Sequence, residues 1–251
     1  MKNLLEKSIR WLSPRWAAQR QKDRHILTAY EGASYNNRSR SHNPYISSAS
    51  ANTEVQMGGE SLLHQARELE RNHDLVSGAL DMLVSQIVGA GLQTEPMVCD
   101  KKGKLINGLN EEIKNLWERW LKSPDITGQM SGGKIQQLDV RSWLRDGGTF
   151  KKVFEGYDFP HQNNVLPFSI GCYEYDYVPF HHTRMLEKGM IIQGVEVNEY
   201  GAPLAFWMYP SHPGDYSADS NQNNLVRHSI FDTYHIAQTK RFGQLRGITA
   251  F

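Results

Sequence analysis

Long apolar runs are missing from this sequence: no stretch of about 18 apolar residues occurs, so no segment reads as a membrane-spanning helix. Cysteine is scarce. Cys99 and Cys172 lie far apart and outside CxxC spacing, which reads as free thiols in a reducing cytoplasm. The opening MKNLLEKSIRWLSPRW is basic and amphipathic, but Lys7 and Arg10 interrupt Leu4, Leu5, Ile9 and Leu12, so no apolar core of a secretory signal forms. Catalytic signatures are missing as well: there is no GxSxG, no Walker loop, no HRD-type motif and no HExxH. The GAG at 89–91 follows a helical pattern instead of a strand and lacks a third glycine, so it does not read as a dinucleotide loop.

What is present begins with a charge asymmetry. The net charge of +1 conceals nine basic against three acidic residues in positions 1–40, which leaves 19 basic and 24 acidic residues in the remainder. A basic arm thus precedes a mildly acidic body. The arm reads either as a solvated tail or as a segment that touches nucleic acid or an acidic partner. Residues 31–60 are rich in Ser, Asn and Gly, which favour turns and offer little to bury, and read as an extended or wrapping linker. The expected division is a flexible arm over 1–55 and a body over 56–251.

The body starts with two helices. Ser61 is a plausible N-cap ahead of Leu62, Leu63, Ala66 and Leu69, and His73-Asp74 caps a second helix. Val76, Leu80, Leu83, Val84, Ile87 and Val88 predict that the second helix is largely buried and stops at Gly89. Residues 92–106 read as a hairpin around CDKKGK. NGLNEEIKNLWERWLKSP reads as a helix capped by Asn110 and stopped before Pro124, with Ile113, Leu116, Trp117, Trp120 and Leu121 on one face. A further helix ends near Gly147 and leads into a strand. From 165 onward short strands dominate, including a hairpin in GVEVNEYGAPLAFWMY that turns at Glu199-Tyr200-Gly201. The class is therefore α+β, with N-terminal helices on mainly antiparallel strands.

Candidate chemistry is sparse. Ten histidines lie at irregular spacing, and neighbours such as His181-His182 would point to opposite faces of a strand. Glu174 and Asp176, two apart on an expected strand, share a face. They suit acid–base or metal chemistry, or serve as turn or interface carboxylates, and the second explanation is the better one. No catalytic residue, metal ligand or cofactor is expected.

Several stretches, taken in order, resemble the N-terminal half of lambda-type phage portal proteins. ARELERNHDLVSGALDMLVSQIVGAGLQTEP looks like that family's helix pair and glycine stop. WERWLKSPD looks like its W-x-x-W segment, and LDVRSWLRDGGTFKKVF like its helix ending in Asp-Gly before a strand. CYEYDYV sits where the family has an acidic strand. GVEVNEYGAPLAFWMYPSHPGD resembles its hairpin followed by His-Pro, and YHIAQTKRFGQLRGITAF its R-P-G-Q-x-R-G-V-P block. Gly148 stands where an acidic residue is usual. Phe242 replaces the usual proline, which makes that loop less rigid. Each motif is weak; together they span about residues 28–251.

The resemblance implies a wing-like portal body, with a further stretch of comparable length normally following, so the chain looks like a truncated or shortened copy. It implies a homo-oligomeric ring, usually of twelve subunits, at one capsid vertex of the virion, assembled in the host cytoplasm. Double-stranded DNA passes through the ring without sequence preference. The terminase large subunit, scaffold or capsid proteins and the head–tail connector are the implied partners, and no membrane is involved. Subunits meeting head to tail need two different patches, for which Trp117, Trp120, Trp143 and Trp207 are candidates. Lys240, Arg241 and Arg246 form a basic group beside flexible glycines and are the candidate DNA-proximal residues. The alternative for these arginines is a structural loop in which they bond carbonyls or carboxylates. Two rival functions are a sequence-independent DNA-binding module that uses the basic arm, and a metal-dependent hydrolase that uses Glu174 and Asp176.

Overall fold

A computed structural model describes residues 49–156, 166–215 and 224–251. Of the arm expected over residues 1–55, residues 1–48 lie outside the described residues. The body begins earlier than residue 56: helix α1 spans Ala51–Asn72, with the Ser50 side chain accepting the Thr53 N–H as its N-cap. Ala51 and Val55, placed in the arm by the sequence pattern, are buried. The glycines that suggested a linker have another purpose. A Cβ on Gly59 would lie 2.9 Å from Cε1 of Phe180, so glycine lets the helix lie directly on that ring.

Helix α2 (Asp74–Val88) follows after His73 and ends at Gly89, whose φ of 53° suits glycine. Only Leu80 and Val84 of α2 are fully buried, contrary to the largely buried helix expected. The hairpin at 98–106 is reduced to one bridge, Cys99 to Leu105, held by Asp100 Oδ1, which accepts from Lys102 N and Lys104 N. Helix α3 (Asn107–Trp120) starts three residues before its expected cap. Asn110 instead pins the hairpin: its Oδ1 accepts from Val98 N at 2.8 Å and its Nδ2 donates to Val98 O at 3.3 Å. Helix α4 (Gly132–Arg145) is capped by Ser131.

Two antiparallel sheets follow. Strands β1 (Gly148–Glu155), β2 (Phe168–Tyr173) and β8 (Thr233–Ala237) form one in the order β2-β1-β8. Strands β3 (Arg184–Met185), β4 (Met190–Ile192), β5 (Val195–Val197), β6 (Pro203–Met208) and β7 (Val226–Ser229) form the other in sequential order. The β5–β6 hairpin turns as expected: Asn198 Oδ1 accepts from Tyr200 N and Ala202 N, and Gly201 has a φ of 80°. Phe150, Tyr175, Phe180, Val195, Phe206 and Met208 join Val55 and Leu63 of α1 in the main core. A smaller cluster packs Leu80 and Val84 on Leu144. The α+β class read from the sequence is the observed one. No described helix is long and apolar enough to cross a membrane.

Candidate functional site

The final segment, residues 238–250, is tied to the end of α4, where Gln238 N donates to Gly147 O and Ala250 N to Leu144 O, and to α1. Asn52 of α1 donates to Gly243 O at 2.9 Å and accepts from Leu245 N at 2.9 Å. A Cβ on Gly247 would fall 1.9 Å from Gly147 O, so only glycine passes there. Beside it, Arg246 is completely buried. Its guanidinium donates to the carbonyls of Val178 (2.8 Å), Gln193 (3.1 Å) and Tyr175 (3.1 Å). Its Cζ lies 4.0 Å from the Tyr175 ring centroid and 4.1 Å from that of Phe180. A cation taken from water needs such compensation, because desolvation disfavours it strongly. Burial lowers the Arg246 pKa nonetheless.

The Tyr175 hydroxyl accepts from Gly247 N at 2.7 Å and lies 3.2 Å from His235 Nε2. The hydroxyl's own proton also reaches Gly247 O at 3.5 Å. The imidazole stacks on Phe150 at 4.4 Å. Burial holds its pKa well below the ordinary histidine value, and the Arg246 charge pushes the same way.

A second polar assembly joins the helices to the sheet. Arg67 of α1 donates to both Asp146 oxygens at 3.0 and 3.1 Å and to Asp176 at 2.6 Å, and lies 3.5 Å from Glu174. Arg145 bonds Asp146 and Glu70, and Arg141 bonds Glu70 and Asp81. Burial alone would raise Glu70, but the two arginines outweigh it and its pKa falls. Burial would lower Arg67, but its carboxylate partners raise it. The network fastens α1, α2, α4 and the corner after β2 to one another.

Among the described residues, one group has the ligand types of a cation site: Glu174, Asp176 and His212, whose ligand atoms all lie within 4.8 Å of one another. Glu174 precedes a 3-10 turn (Tyr175–Tyr177) and Asp176 is its middle residue, so the two do not lie on the expected strand. Their chemistry does not suit a metal. Arg67 already takes Asp176 and faces Glu174. His212 Nδ1 accepts from Gly214 N at 3.1 Å, which puts the proton of a neutral ring on Nε2. Nε2 therefore offers an N–H towards Glu174, 3.3 Å away and not aligned for a hydrogen bond, and has no lone pair for a metal.

The structure separates the residues the sequence had grouped. Lys240 and Arg241 are exposed at the tip of the final segment, whereas Arg246 is enclosed in the core and cannot meet a phosphate. Arg241 bonds Glu54 at 2.7 Å and Ala49 O at 3.3 Å. Of the tryptophans, Trp120 is 3% exposed, donates to Phe168 O and packs on Trp117 and Phe168, so it has no face left for a neighbouring subunit. Trp117, Trp143 and Trp207 are half-buried, and Trp207 donates to Glu196, which also binds Arg227. Sequence reasoning missed Arg67 as a hub. The signal available was its place in the helix pair, four positions ahead of Arg71 on a face otherwise carrying Leu63 and Ala66.

The α+β body is braced by buried arginines, and among the described residues its one carboxylate–histidine cluster is arranged for ion pairing. Residues 36–251 match the phage portal protein, lambda family, and the chain belongs to that family. It is also similar to a protein described as "Probable portal protein" from Halomonas phage phiHAP-1, with 24% identity over 160 residues. That match covers 62% of this chain and 30% of the relative, so the matched part of the chain spans less than a third of the relative's length.

Proposed function

We propose that this chain forms a wall segment of an annular portal at one vertex of a phage capsid, through which double-stranded DNA is packaged and ejected. The supporting observation is the family match across residues 36–251 of a body with no site arranged for bond-making among its described residues. The terminase large subunit docks on such a ring during packaging, and scaffold or capsid proteins and the head–tail connector meet it during assembly. The work is mechanical. A channel that neutralised many phosphates would hold DNA fast, because each one adds salt-sensitive affinity. Positions 41–251 carry 19 basic and 24 acidic residues, a balance compatible with sliding.

Electron micrographs of the complete gene product test this reading. Closed hollow rings, with twelve subunits as the expected number, support it. The rival is a DNA-binding module that uses the basic arm of residues 1–40. A monomer whose DNA affinity falls steeply with salt would establish that rival and overturn the portal.

A further inference from the structure

We propose that the outer face of α2 is a contact surface between copies of this chain, and that its occupant is the Lys240–Phe242 tip of a neighbouring copy. This inference rests on the ring reading above and names the surfaces that meet.

Leu80 and Val84 of α2 face the small core. Leu75 (89% exposed) and Met82 (56%), seven positions apart, lie on the opposite side of the helix with no described residue over them. Single exposed apolar side chains are ordinary. Leu75 and Met82, two turns apart on one stripe, however, form an exposed apolar pair. The charged residues of α2 are Asp74 and Asp81, so the open face has an acidic border. Its complement occurs on the same chain. Phe242 is fully exposed between Arg241 and Gly243, with Lys240 exposed beside it, which makes a basic tip carrying one aromatic ring. An aromatic anchor beside a cation fits an apolar face with an acidic border.

The two patches cannot meet within one subunit. Arg241 is tied to Ala49 O and Glu54 at the start of α1, and Asn52 to Gly243. Asp81 of α2 is tied through Arg141 to Glu70 near the end of α1. From residue 54 to residue 70 a helix rises about 24 Å. Two unlike patches at opposite ends of a rigid helix suit head-to-tail contact, which repeats from copy to copy.

Sedimentation of this chain over a range of concentrations tests the contact with Met82→Glu and Phe242→Ser. The wild type is expected to gain mean mass with concentration, and each variant to self-associate about tenfold more weakly or less. An equimolar mixture of the two variants should yield a dimer that grows no further. The sound tip of Met82→Glu meets the sound α2 of Phe242→Ser, and every other contact is spoiled. A misfolded variant could not give this dimer. Unchanged association in either variant overturns the proposal, as does a wild type that stays monomeric throughout. Loss in Met82→Glu alone, without rescue, would mean α2 meets α2. Loss of retention on duplex DNA in Phe242→Ser and Lys240→Glu, with association intact, would assign the tip to DNA. Rings that persist in micrographs of both variants sink this contact and leave the portal reading standing; the absence of any wild-type ring sinks the reading itself.

Discussion

Arg246 donates to the backbone carbonyl of Tyr175 at 3.1 Å while its guanidinium lies 4.0 Å from the centroid of the same residue's ring. One residue thus supplies both an acceptor and a π-face to a buried cation, and the final segment is fixed to the corner after β2. Replacing Arg246 by Ala leaves three carbonyls short of a donor and a cavity between two rings. The expected cost is about 4 kcal/mol, read as a lower midpoint in urea unfolding. Arg246→Lys should recover little of it, since a point ammonium cannot reach three carbonyls as the planar fork does.

Gly247→Ala should destabilise by about 3 kcal/mol or abolish folding, because the added methyl meets the Gly147 carbonyl. Gly133→Ala, where a Cβ meets nothing within 4 Å, should leave the thermal midpoint unchanged or raised.

Stability should fall as pH drops below about 6.5, the ordinary histidine pKa. The folded pKa of His235 is depressed by burial and then by Arg246, so the folded state binds fewer protons than the unfolded chain in that window. Its contribution is complete above the unfolded pKa and is lost as pH falls towards the folded value, with a limiting slope of about 1.4 kcal/mol per pH unit. His182 and His228 are shifted the same way, first by burial, and add to the slope. Urea unfolding of His235→Phe at pH 7.5, 6 and 5 should show a shallower slope than the wild type.

Arg67→Ala should cost about 3 kcal/mol, because Asp146 is fully enclosed and Asp176 largely so. Glu174→Ala should cost less than 1 kcal/mol, roughly the value of an exposed ion pair. Thermal melts of both variants would show whether the network converges on Asp146.

Millimolar Mn²⁺ or Zn²⁺ should leave the wild-type thermal midpoint unchanged. Arg67 occupies the carboxylates, and His212 presents an N–H where a ligand would need a lone pair.

Periodicity made α2, α4 and the β5–β6 hairpin legible, because apolar spacing and a turn such as Asn198–Gly201 are local properties. The start of α1 was misread because Gly58 and Gly59 have one meaning in a loop and another under an aromatic ring, and Phe180 lies 121 positions beyond Gly59. Asn110 was read as a cap for the same reason: its true partner, Val98, lies across a hairpin.

By itself, the sequence determined the α+β class and, through an ordered set of weak motifs, the portal family, since both depend on local patterns and their order. The tertiary structure alone decided which charges lie inside. Lys240, Arg241 and Arg246 are neighbours in the chain, yet one is sealed among carbonyls and rings while the other two are exposed. The enclosing groups come from Tyr175, Val178, Phe180 and Gln193, and only folding brings them to Arg246.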